Sequence, residues 1–98
     1  MIKKTEWTPT KCVCIDVDGT LWINGTLNKK LCQWAKLRKK EGYDVILWSA
    51  RGRIYAEKFA KKNKIESLFT FIIGKPSYIV DDKGWAWISY TKTIKTIF

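Results

Sequence analysis

Hydrophobic and polar residues follow one another along the chain in segments that predict strands and helices in turn. Residues 11–17, KCVCIDV, form a short and nearly continuous apolar run, and residues 43–49, YDVILWS, form a second. Such runs, when rich in β-branched residues, are typical of parallel strands that are covered on both faces. Residues 68–74, LFTFIIG, and 77–80, SYIV, predict a third and a fourth strand. The alternation indicates an α/β layer architecture.

Two helices are predicted between these strands. Asn28 can cap a helix that runs to about Glu41, and Gly42 ends it. A second helix is predicted from about Arg53 to Lys62. The apolar positions expected to share one side of the first helix are Leu31, Trp34, Ala35 and Leu37.

Three other segments are harder to place. The sequence DGTLWINGTLN at residues 18–28 contains Asn-Gly at 24–25, which predicts a small hairpin or flap. Only Lys75 and Pro76 lie between the third and fourth predicted strands, whereas a parallel crossover needs a dozen or more residues. We therefore expect one of these two segments to lie outside the parallel sheet or to follow an irregular path. For the tail from Trp85 onwards we favour a terminal helix that packs on the sheet.

The size and composition fit a single domain. The chain has 98 residues, no apolar run near the ~20 residues of a membrane span, and no apolar signal segment in its start, MIKKTEWTPTK. Cysteines at 12, 14 and 32, an odd number without CxxC spacing, suggest reduced thiols. We therefore expect a cytoplasmic protein that contacts no membrane.

The net charge of +10 leaves two explanations open. It favours polyanionic or phosphorylated partners, including nucleic acid. A lysine-rich surface that keeps the protein in solution explains the same charge equally well.

The few acidic residues are unevenly placed. Nine carboxylates stand against nineteen Lys and Arg, and four of the five aspartates form two tight pairs. These pairs, and Ser49, follow predicted strands, and ligands of open α/β sheets bind outside the carboxyl ends of the strands. Carboxylates so close repel one another unless a cation neutralises them, and hard oxygen ligands without histidine favour Mg²⁺. The paired aspartates are Asp16, Asp18, Asp81 and Asp82.

These residues resemble the four motifs of the haloacid dehalogenase (HAD) superfamily of phosphohydrolases. DVDGTL at 16–21 resembles motif I, and Ser49 in ILWSAR resembles motif II. Lys75 in GKP resembles motif III, and VDDKG at 80–84 resembles motif IV, all in the family's order. The stretch GKPSYIVDDKG is particularly similar to small HAD phosphatases of capsule biosynthesis. Each residue also has a plainer interpretation, such as a turn former at Asp18 or a helix cap at Ser49.

The resemblance implies a fold and a set of roles. The fold would be a HAD-like Rossmannoid three-layer sandwich with a short, mainly parallel sheet, in one capless domain over 1–98 with a flap at about 19–28. Asp16 would be the nucleophile and Asp18 the general acid and base. Ser49 would bind the phosphoryl group, and Lys75 would neutralise its charge and orient the nucleophile.

The resemblance also implies ligands. Mg²⁺ would be held by Asp16, Asp18, Asp81 and Asp82. Contacts to the substrate are expected from Gly19, Thr20, Ala50, Arg51 and Arg53, although each arginine could equally pair with a nearby carboxylate.

Three hypotheses on function follow from the residues and the resemblance. The first is a Mg²⁺-dependent phosphomonoester hydrolase that forms an aspartyl-phosphate. The second is a basic phosphatase of nucleic-acid ends, or a nucleic-acid-binding module on a HAD shell. The third is a phosphoryl-binding regulatory partner, in which a second copy of the chain covers the open site.

Overall fold

The computed structural model describes residues 10–95, except for the side chain of Tyr90. Seven strands and α-helices and two short 3₁₀ helices make up this part of the chain. The strands are β1 (Cys12–Asp16), β2 (Trp22–Ile23), β3 (Thr26–Leu27), β4 (Asp44–Ser49) and β5 (Phe71–Gly74). The α-helices are α1 (Lys29–Lys40) and α2 (Arg53–Lys62), and the 3₁₀ helices are Glu66–Leu68 and Gly84–Tyr90.

Strands β1, β4 and β5 form a parallel sheet in that spatial order. Asp16 pairs in register with Trp48, and Ser49 pairs with Gly74. The carboxyl ends of all three strands therefore lie along one edge of the sheet. The predicted α/β class with a parallel sheet is confirmed.

The two α-helices cover one face of the sheet. Val45 and Leu47 alternate along β4 and are fully buried in the same core cluster as residues of both helices. The intervening side chains belong to the opposite face, where Phe71 and Ile73 remain 56% and 38% exposed. Within residues 10–95 the sheet thus has helices on one face, and the three-layer arrangement is not seen there. Right-handed crossovers explain this, because strands added in one direction place successive helices on the same side.

Local sequence explains where α1 begins and ends. The Leu31 N–H donates to Oδ1 of Asn28 at 3.1 Å, which confirms the predicted cap. Gly42 follows the helix with a φ of 93°, a left-handed conformation that glycine adopts readily. Leu31 is fully buried, but Leu37 is 53% exposed, so the prediction that Leu37 faces the core is wrong. Six residues correspond to about 240° of helical rotation, which turns Leu37 away from the sheet.

The flap is an antiparallel hairpin of β2 and β3, as predicted. Asn24 and Gly25 at its tip both have positive φ, at 51° and 75°, as a tight two-residue hairpin turn requires. The hairpin leads directly from the end of β1 into α1.

The chain after β5 departs from the predictions. Residues 77–80 form no strand, and Tyr78 and Val80 are 88% and 99% exposed. The short link at residues 75–76 therefore needs no crossover. The tail does form a helix, of 3₁₀ type, but Trp85 is 73% exposed and no described residue beyond Ile72 joins the core. The expected packing of this helix on the sheet is therefore wrong.

Within residues 10–95, no helix is both long enough and apolar enough to span a membrane.

Two leucines on α1 provide a matched test of this core. Leu31→Ala should lower the free energy of unfolding by about 2–5 kcal/mol, because it leaves a cavity under the sheet. Leu37→Ala should change it by less than about 0.5 kcal/mol, because the side chain is mostly in water. Urea unfolding of both variants measures the difference. Equal losses of unfolding free energy in the two variants would show that α1 packs on the core through a different side.

Candidate functional site

The sheet edge brings together three residues that are far apart in sequence. Asp16 ends β1, Ser49 ends β4, and Lys75 directly follows β5. Lys75 Nζ lies 3.2 Å from Oδ1 of Asp16, so the pair spans the end of the central strand. Both side chains keep about a third of their surface in water, at 31% for Asp16 and 39% for Lys75. A ligand from solvent can therefore reach both.

The turn after β1 fixes the other oxygen of Asp16. Val17 and Leu21 are fully buried and anchor the turn, and Leu21 N–H donates to the Val17 carbonyl at 3.0 Å. This turn places the Thr20 hydroxyl 3.4 Å from Oδ2 of Asp16, to which it donates. Gly19 lies within the turn at a φ of 82°, which a side chain would strain. Asp16 is thus held at one oxygen by a cation and at the other by a hydroxyl.

Ser49 links the ends of β4 and β5. It is 2% exposed, and its Oγ accepts a hydrogen bond from the Arg51 N–H at 3.0 Å. Its carbonyl accepts from the N–H groups of Gly52 at 3.0 Å and Lys75 at 2.9 Å. The N-cap of α2 is Gly52, so Ser49 is not the helix cap that the plainer interpretation proposed. The backbone of this buried residue thus positions Lys75.

Asp18 is held by residues of the segment that follows β4. The Tyr55 hydroxyl donates to Oδ1 of Asp18 at 2.8 Å, and Arg51 Nη1 lies 3.8 Å from Oδ2. The Arg51 guanidinium stacks 4.2 Å from the Tyr55 ring centre, and its Nη1 donates to the Tyr55 hydroxyl at 3.3 Å. The hydrogen bond to Asp18 is the main cause that raises the pKa of Tyr55 above its usual value. These contacts orient the second carboxylate of the DVD sequence.

Tyr55 was not predicted as a site residue. The sequence shows it only as one of the apolar positions of α2. A usable signal was its place in the first turn of a helix that starts beside the motif containing Ser49, since that turn lies at the strand ends.

Among the described residues, the remaining predicted site residues show no contact with Asp16. Arg53 forms an i,i+4 pair with Glu57 at 3.0 Å, so the alternative of an ordinary ion pair holds for it. Ala50 is exposed in the turn after β4. Asp81 and Asp82 are exposed, and Oδ1 of Asp81 accepts from the Lys83 N–H at 2.8 Å.

The carboxylates at the sheet edge suit a hard cation only in part. Mg²⁺ usually binds one or two carboxylates together with water and substrate phosphate, and Asp16 supplies one, whereas the Asp18 oxygens contact Tyr55 and Arg51. Within the described part of the chain, no three acidic or thiol side chains come together in a metal-binding group. Asp81 and Asp82 thus remain a predicted contribution to such a site.

Comparisons of the chain with protein-family models, with curated proteins and with solved structures found no match. Function is therefore inferred from the residues and contacts described above.

The bond between Tyr55 and Asp18 can be tested by titration. The phenol must keep its proton to donate, so the bond is present below pH ~10 and is lost as the pH rises through the raised pKa of Tyr55. We expect ¹³C NMR of the Tyr55 ring to show its titration shifted to lower pH in Asp18→Ala. The control variant Asp44→Ala removes an exposed aspartate at the other end of the sheet. An unchanged titration in Asp18→Ala would disprove the contact.

Proposed function

We propose that this protein is a HAD-type phosphatase, a single capless domain that hydrolyses phosphate monoesters with the help of Mg²⁺. The observation that carries the proposal is the contact of Lys75 with Asp16 at 3.2 Å, beside the buried Ser49. A nucleophilic carboxylate, a lysine and a hydroxyl at one sheet edge are what transfer of a phosphoryl group to aspartate requires.

The first step forms an aspartyl-phosphate. An oxygen of Asp16 attacks the phosphorus atom, and the bond from phosphorus to the ester oxygen breaks. Asp18, when protonated, gives its proton to the departing oxygen, so that an alcohol leaves. Asp16 contacts Lys75 and Thr20, whereas Asp18 contacts Tyr55 and Arg51, so the two carboxylates have different partners for these separate roles.

The second step hydrolyses the intermediate. The Asp18 carboxylate takes a proton from a water molecule as that water attacks phosphorus. The bond between phosphorus and Asp16 breaks, inorganic phosphate leaves, and both aspartates return to their starting states. Tyr55 and Arg51 would steady Asp18 through the contacts measured at 2.8 Å and 3.8 Å.

Charge on the transferred group is balanced by residues already in place. Lys75 and the hydroxyls of Thr20 and Ser49 would contact the phosphoryl oxygens. These contacts would stabilise the negative charge on those oxygens in the transition state. Asp16 and the Asp18 backbone carbonyl would hold Mg²⁺, which supplies Lewis-acid neutralisation of the phosphate charge. Asp81 and Asp82 belong to this proposed set through the motif they resemble.

The open site suggests a cover. The hairpin β2–β3 stands where capped relatives of a HAD enzyme would carry a further domain, so water exclusion must come from the hairpin, the substrate or a second subunit. A second copy of this chain is our proposed cover, because Tyr78, Val80 and Trp85 expose 73–99% of their surface on the segment that carries Asp81 and Asp82.

The cell compartment is part of the same proposal. Cys12, Cys14 and Cys32 are all unpaired, and burial raises the pKa of Cys14 to about 11. Free thiols are typical of a reducing compartment, so we place the protein in the cytoplasm.

Turnover of p-nitrophenyl phosphate tests the enzyme directly. We expect Mg²⁺-dependent release of phosphate that falls at least about 10³-fold in Asp16→Asn, because the amide cannot act as the nucleophile. The matched control Asp44→Asn makes the same chemical change at an exposed aspartate and should keep full activity. Retained activity in Asp16→Asn, with both variants folded, would contradict the mechanism.

A folded protein that shows no turnover with any of several phosphomonoesters, with or without Mg²⁺, would count against the enzyme itself. Trapping of the Asp16 phosphoryl adduct by acid quench and mass spectrometry gives a second readout, because it does not require complete turnover.

A further inference from the structure

A second surface with its own chemistry lies on the helical side of the molecule. An open groove of about 690 Å³ runs between α1 and the segment that follows α2. Its floor is apolar, with Leu27, Ile65 and Leu68, and its walls carry five lysines and no acidic residue. The groove shares none of the residues of the candidate site, so it is a separate feature of the fold. The five lysines are Lys29, Lys36, Lys39, Lys40 and Lys64.

The lysines of α1 form a straight row. Lys29, Lys36 and Lys40 are seven and four residues apart, which places them within about 20° of a common line along the helix. At a rise of 1.5 Å per residue the row is about 17 Å long. Gln33 lies on the same wall of the groove and adds a hydrogen-bonding side chain between the charges.

These charges are not neutralised by neighbours. Within the described residues, Lys29, Lys36, Lys40 and Lys64 make no ion pair, and Glu41 at the end of α1 pairs with Arg38. Lys39 differs, because its Nζ donates to the Ser67 carbonyl at 2.6 Å and so braces one wall of the groove. Four ammonium groups thus face water around one groove.

Some of these lysines are at positions that disfavour the helix, although Lys39 and Lys40 in its last turn complement the helix dipole. Helix N-termini favour acidic side chains, but α1 has Lys29 and Lys30 in its first turn and no acidic residue there. Lys36 and Lys40 are like charges at i,i+4, which repel each other. The stability of the helix therefore does not explain a lysine in its first turn, whereas a binding surface does.

The backbone conformation of Lys64 is also unfavourable for a lysine. It has a φ of 57°, in the left-handed region where glycine is the favoured residue after a helix. Glycine would relieve this strain but would remove the one lysine that α1 does not supply to the groove. Strained non-glycine residues of this kind are often found at functional positions.

We propose that this groove binds the phosphate backbone of a single-stranded nucleic acid. A row of about 17 Å with charges of one sign complements a linear polyanion, whose phosphates repeat along the strand. Within the described part of the chain, the groove lining contains no aromatic side chain on which bases could stack, so the predicted contacts are with the phosphates and not with particular bases. A membrane surface fits less well, because Leu27, Ile65 and Leu68 lie within the groove and do not protrude to enter lipid.

The groove begins close to the candidate site. Asn28, the residue before Lys29, donates from Nδ2 to the Thr20 carbonyl at 3.3 Å, and Thr20 contacts Asp16. A strand lying along α1 would therefore have one end directed towards the edge of the sheet that carries Asp16. Only this last relation rests on the proposed phosphatase; binding in the groove does not depend on it.

Fluorescence anisotropy with a labelled single-stranded oligonucleotide that has hydroxyl ends tests binding apart from catalysis. Four lysine contacts predict that the affinity falls about 50-fold between about 50 and about 200 mM salt. In Lys29→Gln/Lys36→Gln/Lys40→Gln the fall should shrink to about threefold, because three of the phosphate contacts are gone.

The matched control is Lys58→Gln/Lys61→Gln/Lys62→Gln, which removes the same charge from exposed positions on α2 outside the groove. It should keep the salt dependence of the wild type. Glutamine is a good helix former, and circular dichroism checks that both triple variants are folded. Equal losses in the two variants, no binding of the oligonucleotide, or binding only to anionic lipid vesicles would each overturn the proposal.

Lys64→Gly separates binding from stability. We expect the melting temperature to rise by a few degrees, because the strained backbone is relieved. Affinity for the oligonucleotide should fall about threefold or more at low salt, with a smaller salt dependence. A more stable variant with unchanged affinity would remove Lys64 from the site, and with it the interpretation of its strain.

Discussion

The burial of β4 between β1 and β5 is the constraint on which the site depends. Val45 and Leu47 are fully buried, and they fix the register of a central strand that pairs on both sides. Two strand spacings, roughly 10 Å, then separate the ends of β1 and β5. A side chain as long as lysine can cross this gap to Asp16. The Ser49 carbonyl, which binds the N–H groups of Gly52 and Lys75, holds the start of that side chain in place.

The sequence was sufficient to predict those elements of the fold that depend mainly on neighbouring residues. The apolar runs of β1 and β4, the Asn-Gly hairpin tip and the Asn28 cap each depend on neighbouring residues, and all four were predicted. Residues 77–80 carry the apolar pattern of a strand but form none, because a strand exists only where a neighbouring strand offers hydrogen bonds. Leu37 was misplaced because three correctly chosen apolar positions do not guarantee that a fourth shares their side of the helix.

In the candidate site, too, the sequence predicted the positions of some residues and not of others. The motifs place Asp16, Ser49 and Lys75 at strand ends, and a parallel sheet then has to bring them to one edge. Tyr55 belongs to no motif, and only its place in the first turn of α2 indicated that it lies near the strand ends; its contact with Asp18 depends on tertiary packing. Asp81 and Asp82 lie beyond the last strand, so nothing in the register of the sheet determines where they go.

The positive charge of the chain bears on how an anion could approach the candidate site. The proposed substrate, a phosphate monoester, is an anion, and Asp16 and Asp18 would repel it. Lys75 and Arg51 offset this repulsion locally, at 3.2 Å and 3.8 Å from the two carboxylates. The net charge of +10 acts at longer range and raises the concentration of anions near the surface. The positive balance of the chain would therefore allow an anionic ligand to approach these two aspartates, as the proposal requires.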